Sequence, residues 1–421
     1  MTSVHGSEGG AVPAGAAPAP AVPEGTLAAD VLSARGGWRA RVGRAAAAVW
    51  AVLPAWLVAR AVVVGTLVVA RSVVGHVRPG NAAAAARAHQ GLLGWDAGWY
   101  EAIARVGYGP LGHQSLRFFP LFPLAARALA LVPGVSAGVG VVVLANGAAL
   151  VGTALLRLLV LRETGDRAWA DRTVWLFSLA PPAFVLVMGY SEAFLLVASV
   201  GCFLALRGRL ADVPGGRALP RWGWVTLLGF AAGLTRPLGA VLVLPAAVEA
   251  LRQWRANGWG RRLASAAGVL GPVAGAGAFL AWSAAAFGNG LLPVQVQTQA
   301  THHGGLSDPL AVLVHDAVGA FHHHVGTALH IPWVVLAVVL VVVCFRRLPA
   351  SYGAFAAGVV LVAMSGTNLD SFERYALSAF PLTITAAALV ARRPLVRVVL
   401  VLAGLGLAAY AFLAFVNLLV P

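Results

Sequence analysis

AAAVWAVLPAWLVARAVVVGTLVVAR, residues 46–71, is almost unbroken hydrocarbon, with Arg60 as the only charge before its end. A helix of this length exceeds the ~30 Å of apolar thickness that a spanning segment must cross. Runs of this kind recur to the C-terminus. We place spans at 46–71, 137–160, 173–189, 191–206, 222–235, 238–251, 263–286, 331–345, 349–366, 376–391 and 398–419. The expected fold is therefore an all-α polytopic membrane protein of about eleven transmembrane helices. Residues 222–251 are read as a helical hairpin turning at Thr235-Arg236-Pro237, because proline disfavours helix at the residue before it.

Composition agrees. The 421 residues are 59% hydrophobic and 11% charged, where soluble domains carry roughly 25% charged residues. The net charge of +15 raises the question of nucleic acid, but the arginines lie in short clusters between apolar runs, which is topogenic charge and not a binding stripe. Lysine is absent, and Cys202 and Cys344 fall within apolar runs, as packing residues would. Residues 1–45 read as an Ala/Pro/Gly-rich cytoplasmic tail with a basic flank, disordered over 1–35 and without a signal peptide. Residues 46–421 read as one transmembrane domain with outer loops at 72–136 and 287–330.

With the N-terminus inside, 21 of 30 arginines fall on the inner segments, which fixes the orientation in a cell membrane. Asp96, Glu101, Glu192, Asp308, Asp316, Asp370 and Glu373 then share the outer side with all histidines except His5. A membrane protein that gathers scarce acids on one face is expected to do its chemistry there.

Five stretches carry candidates. In GWDAGWYEAIARVGYG (94–109), a helix from Asp96 puts Trp99, Tyr100 and Ile103 on the Asp96 face and turns Glu101 about 140° away. The plainer reading has Asp96 as a helix cap, with Trp95, Trp99 and Tyr100 in an interfacial aromatic belt. RFFPLFPLAAR (117–127) is too short to span and is broken by Pro120 and Pro123; its pattern reads as an amphipathic connector, the alternative being a second interfacial helix with Arg117 available to a phosphate. Tyr190, Ser191 and Glu192 lie at an outer turn, either solvated or facing a protein cavity. Arg236 needs an anionic partner, which is either Glu192 or a ligand phosphate. Glu373 and Arg374 are adjacent and so face different ways, one for a local pair and one for a cavity. The histidines of the 287–330 loop, His302, His303, His315, His322, His323, His324 and His330, lack the spacing of a metal site, so no metal or cofactor is expected.

Together WDAGWYEAIARVGY with FFPLFPL, then PPAFVLVMGYSEAFLLV, GLTRPLG and ERYALSAFPL resemble, in this order, the glycosylphosphatidylinositol second-mannose transferases (PIG-V-like proteins) and their bacterial relatives. These belong to the GT-C group of polytopic glycosyltransferases. The resemblance implies a GT-C-like bundle whose first outer loop carries interfacial helices. It also implies a polyprenyl-phosphate sugar donor, usually mannose, and an acceptor hydroxyl on an outer glycan, glycolipid or protein. By motif position Asp96 becomes the general base. Arg117, Tyr190, Glu192, Arg236 and Arg374 fall on the donor-phosphate or substrate side, with Trp95, Trp99, Tyr100, Glu101 and Glu373 in support. A single carboxylate and fixed positive charge fit one-step inversion. The other class that shares these features is a secondary transporter or lipid-linked glycan flippase, which predicts midplane ion sites on broken helices.

Overall fold

The computed structural model describes residues 38–76, 81–207, 220–299, 304–321 and 328–421, and among them there is helix and no strand. The first helix, α1 (Trp38–His76), begins ahead of the expected boundary at 46. The chain then folds into α2 (Ala82–Gln90), α3 (Asp96–Val106) and α4 (Leu121–Leu129), joined by short 3-10 turns. Next come α5 (Ala137–Thr164), α6 (Arg167–Leu179), α7 (Glu192–Leu206), α8 (Trp222–Thr235), α9 (Val243–Gln253) and α10 (Trp259–Phe287). Two short helices follow, α11 (Leu292–Gln297) and α12 (Pro309–Phe321). The chain closes with α13 (Ile331–Arg347), α14 (Ala350–Ala363), α15 (Phe372–Ser378), α16 (Phe380–Leu389) and α17 (Arg393–Phe415). Ten of the eleven apolar stretches are thus largely helical, whereas 173–189 leaves the α-helix after Leu179. The tail at 1–35 and His302, His303 and His322–His324 lie outside the described residues.

Four of the helices are long and apolar enough to cross a membrane: Val42–His76 within α1, then α5, α10 and α17. Their outward faces are hydrocarbon, as at Val68, Leu270, Val401 and Leu405, which suits lipid and not water. These features are compatible with a multi-pass membrane protein.

Local chemistry sets the helix ends. Ser136 caps α5 by accepting from the Val139 amide at 3.2 Å, and Asp166 caps α6 by accepting from the Trp169 amide at 3.0 Å. Between them Gly165 stops α5 in the left-handed conformation at φ 70°. Pro181 and Pro182 then end the α6 region, and the chain runs as a 3-10 segment, Pro181–Leu186, before α7.

Helices α8 and α10 run in the same direction. Trp222, Thr226 and Phe230 of α8 lie against Gly268, Gly271 and Gly275 of α10 in ascending order. The chain therefore has to return between them. It does so through Arg236, the 3-10 segment Pro237–Leu242 and α9, which gives the expected hairpin a physical form. A Cβ on Gly275 would stand 2.1 Å from the Phe230 carbonyl, so only glycine allows this backbone approach.

The core centres on α7. Phe203 meets Tyr352 and Phe355 of α14 and Phe380 of α16 at 4.7, 5.6 and 5.2 Å. A second aromatic cluster, Tyr100, Phe118, Phe119, Phe122 and Phe279, anchors α3 and α4. Both cysteines are buried and unbridged.

Candidate functional site

Asp96 is the first residue of α3, and Trp95 before it has φ 58°. That conformation is rare for a bulky residue and costs ~1–3 kcal/mol unless the surroundings impose it. Here the Trp95 indole donates to the Ala414 carbonyl at 3.0 Å, and Arg87 stacks over the ring at 3.8 Å. Trp95 is half-buried and is therefore held in place by these two contacts. Asp96 does not cap α3 through its side chain. Its amide donates to the Tyr190 hydroxyl at 3.3 Å, and its carboxylate turns elsewhere.

The carboxylate heads a chain of alternating charge. Arg374 Nη1 of α15 donates to Asp96 Oδ2 at 2.6 Å. Arg374 Nε stands 3.5 Å from Glu192 Oε1, and the same oxygen accepts from Arg236 Nη1. Arg236 Nη1 also reaches Ser191 Oγ at 3.4 Å, and Ser191 Oγ shares a 2.7 Å hydrogen bond with the Tyr100 hydroxyl. Arg374 lies 5.5 Å from the Tyr190 ring centre and 5.1 Å from that of Tyr375. Three helices, α3, α7 and α15, and two breaks in helix, at 190–191 and at Arg236, thus bring these residues together. Ser371, three residues before Arg374, takes a left-handed conformation at φ 63°, so a strained residue precedes each partner of the Asp96–Arg374 pair.

These groups wall a cavity of about 330 Å³, within the size range of small-molecule sites. Asp96, Arg117, Arg236 and Arg374 line it with Tyr100, Phe118, Phe119 and Tyr375, and Gly304, Gly305 and Gly366 also border it. Arg117 packs over the Phe118 ring at 5.0 Å. The wall carries three guanidiniums, Arg117, Arg236 and Arg374, and two carboxylates, Asp96 and Asp370, and Glu192 pairs with Arg236 behind it. Burial alone would raise the Asp96 pKa. The Arg374 guanidinium, with Arg236 and Arg117 farther off, outweighs that and holds the carboxyl below its ordinary range. Arg374 itself is held well above its ordinary value, since Asp96, Tyr375 and Glu192 outweigh its burial.

Glu192 is buried at 4% exposure, so the solvated-turn reading of Tyr190-Ser191-Glu192 is corrected: the segment is interior. Both readings of Arg236 meet in one place, because it pairs with Glu192 and also lines the cavity. Glu101 abuts Gly138 of α5, away from the cavity, as helical geometry required. Trp99 stacks on Phe118 at 5.7 Å, and the Arg117 guanidinium lies 6.0 Å from its ring centre.

Glu373 and Arg374 do part company. Glu373 accepts from the Tyr410 hydroxyl at 3.2 Å and contacts His330 Nδ1 at 2.7 Å, and His330 Nε2 lies 4.0 Å from Asp370 on the cavity wall. His330 is pulled down by burial, but Glu373, Asp370 and Asp316 raise its pKa above the ordinary histidine value. Sequence reasoning missed this His330–Glu373–Tyr410 link, Tyr375 on the cavity wall, and any role for Arg60. An arginine inside a span was the available signal for the last.

No family model, curated protein or solved structure matches the chain.

Proposed function

We propose that the protein is an inverting glycosyltransferase that moves a sugar, mannose in the first instance, from a polyprenyl-phosphate donor to an acceptor hydroxyl. The observation that carries this reading is the meeting of Asp96 with Arg117, Arg236 and Arg374 in one cavity. The motif resemblance supplies the choice of substrate. We further read the eleven apolar stretches as eleven crossings, with a cytoplasmic N-terminus and the cavity toward the outer face, where arginine is scarce.

In this reading the acceptor oxygen attacks the anomeric carbon from the side opposite the phosphate. The C1–O bond to phosphate breaks, the phosphate keeps the electron pair, and the hydroxyl proton passes to Asp96. Arg374 occupies Asp96 Oδ2, so Oδ1 is the oxygen left for the hydroxyl. A carboxylate with a lowered pKa is a weak base but is always ionised. It suits a late transfer, in which the hydroxyl becomes acidic as its bond to carbon forms. Arg236 and Arg374 stabilise charge as it develops on the leaving phosphate. That phosphate is already a good leaving group, so the paired carboxylates of glycoside hydrolases are not required.

Membranes holding the protein, given radiolabelled polyprenyl-phosphate mannose, should yield a mannosylated product, and Asp96→Asn should cut the rate by ~10²–10⁴-fold. Undiminished transfer by Asp96→Asn would remove Asp96 as base. Passage of an intact glycolipid without sugar transfer would instead favour a flippase.

A further inference from the structure

Arg60 lies mid-way along the apolar stretch Val42–His76, about 24–27 Å from either end at 1.5 Å per residue. Hydrocarbon offers such a group no partner, so an arginine at this depth has to find acceptors in the protein. All of those it finds are neutral. Arg60 Nε donates to Asn146 Oδ1 of α5 at 2.9 Å, and Nη2 donates to the Leu186 carbonyl at 2.9 Å. Nη1 reaches the Trp56 carbonyl on its own helix at 3.4 Å, and the guanidinium lies 4.2 Å from the Trp56 ring centre.

Asn146 completes the contact. Its Nδ2 donates to the Val187 carbonyl at 2.8 Å and to Val142 in its own helix at 2.9 Å. Its main-chain carbonyl accepts from the Trp56 indole at 3.1 Å. Leu186 and Val187 belong to the broken stretch between α6 and α7, where helical hydrogen bonding fails. The amides that would have reached the Leu186 carbonyl go elsewhere: Gly189 donates to Leu92 at 3.1 Å and Tyr190 to Met188 at 2.9 Å. A carbonyl orphaned in an apolar interior is costly, and Arg60 and Asn146 supply the missing donors.

What this stretch carries gives the contact its consequence. Three to six residues after Leu186 and Val187 come Tyr190, Ser191 and Glu192, which hold the Asp96 amide, Tyr100 and the two arginines. Gly189 is seated between Val141 and Ala97, where a Cβ would stand 2.3 Å from Val141 Cγ1, so the backbone there has little freedom. We infer that Arg60 and Asn146 are positioning residues: a cationic fork and an amide within the membrane that fix the broken segment 181–190 and, through it, set Glu192 against Arg236 and Arg374. Arginine serves where a shorter amide would not, because its planar fork spans α1, α5 and the break at once.

The test uses the full chain in lipid nanodiscs with Arg60→Gln, Arg60→Lys and Asn146→Leu, read by hydrogen exchange and by transfer kinetics. Amides of 181–192 should exchange at least ~10-fold faster in Arg60→Gln and Asn146→Leu, with α8 and α10 unchanged. Arg60→Lys, which keeps the charge but gathers its donors on a single nitrogen, should fall between and serves if Arg60→Gln does not fold. Unchanged exchange at 181–192, or an equal rise throughout the bundle, would overturn the inference. The kinetic arm rests on the transferase reading. There Arg60→Gln should raise the donor KM and lower kcat, up to ~10²-fold in kcat/KM, with acceptor KM unmoved and partial rescue in Arg60→Lys. A loss of kcat in proportion to lost folded protein, with both KM values intact, would mark a purely structural role and overturn it. Exchange needs no substrate, so absence of transfer by the unaltered protein would defeat the proposed function alone.

Discussion

Replacing Glu192 with glutamine should destabilise the protein more than replacing its nearer partner Arg236, and the geometry gives the size of the gap. Glu192 touches two guanidiniums, Arg236 in direct contact and Arg374 at 3.5 Å, whereas Arg236 has Glu192 as its only carboxylate contact among the described residues. In Arg236→Gln the buried carboxylate keeps Arg374. At 3.5 Å and an effective dielectric near 20 that attraction is roughly 5 kcal/mol gross. This is comparable with the several kcal/mol needed to keep one ion buried, so Glu192 retains a charged partner. The net loss is then that of one charged hydrogen bond, about 1.5–3 kcal/mol. In Glu192→Gln, by contrast, Arg236 stays buried at 8% exposure with Ser191 Oγ and an aromatic ring for company. Leaving one charge of a buried pair costs about 3–5 kcal/mol.

The double variant Glu192→Gln/Arg236→Gln removes the orphaned charge as well as its cause. It should therefore be no less stable than Glu192→Gln alone, and its loss should fall well short of the sum of the single losses. Reversible unfolding in mixed micelles, followed by tryptophan fluorescence, measures all three against the unaltered protein. An Arg236→Gln loss as large as that of Glu192→Gln, or a double variant whose loss equals the sum, would refute the shared-carboxylate argument.

Other outcomes follow from the same structure. Gly275→Val should lose at least ~1–3 kcal/mol and disrupt the parallel α8–α10 contact, because the new Cβ meets the backbone carbonyl of Phe230; thermal unfolding would show it. Phe203→Ala should cost about 3–5 kcal/mol, since the ring fills the space among Tyr352, Phe355 and Phe380. The His330 pKa is raised in the folded state, so its contribution to stability is full below the unfolded value of about 6.5 and is lost as pH rises through the folded one. The unfolding temperature of the native protein relative to His330→Gln should thus fall from pH 5 to pH 9, and a flat difference would show that His330 stays neutral against Glu373.

The periodic part of the molecule was legible because hydrocarbon is legible. Apolar runs bounded by arginine marked each of the eleven stretches, and Pro237 marked the turn after Arg236. Helical geometry alone separated Asp96 from Glu101 and Glu373 from Arg374, since neighbours on a helix cannot share a face. Partner identity was another matter. Arg374 reaches Asp96 across 278 residues of sequence, and Arg60 reaches Leu186 across 126. Both contacts depend on where a helix breaks and not on how it repeats. At Trp95 the break shows only as a strained φ, and at 181–190 only as carbonyls without amides, which Arg60 and Asn146 then satisfy. A sequence states the residues at such a break but not the direction of its orphaned groups. The capping role first open to Asp96 therefore failed. Capping is a local bond, and the carboxylate was already claimed by an arginine from the far end of the chain.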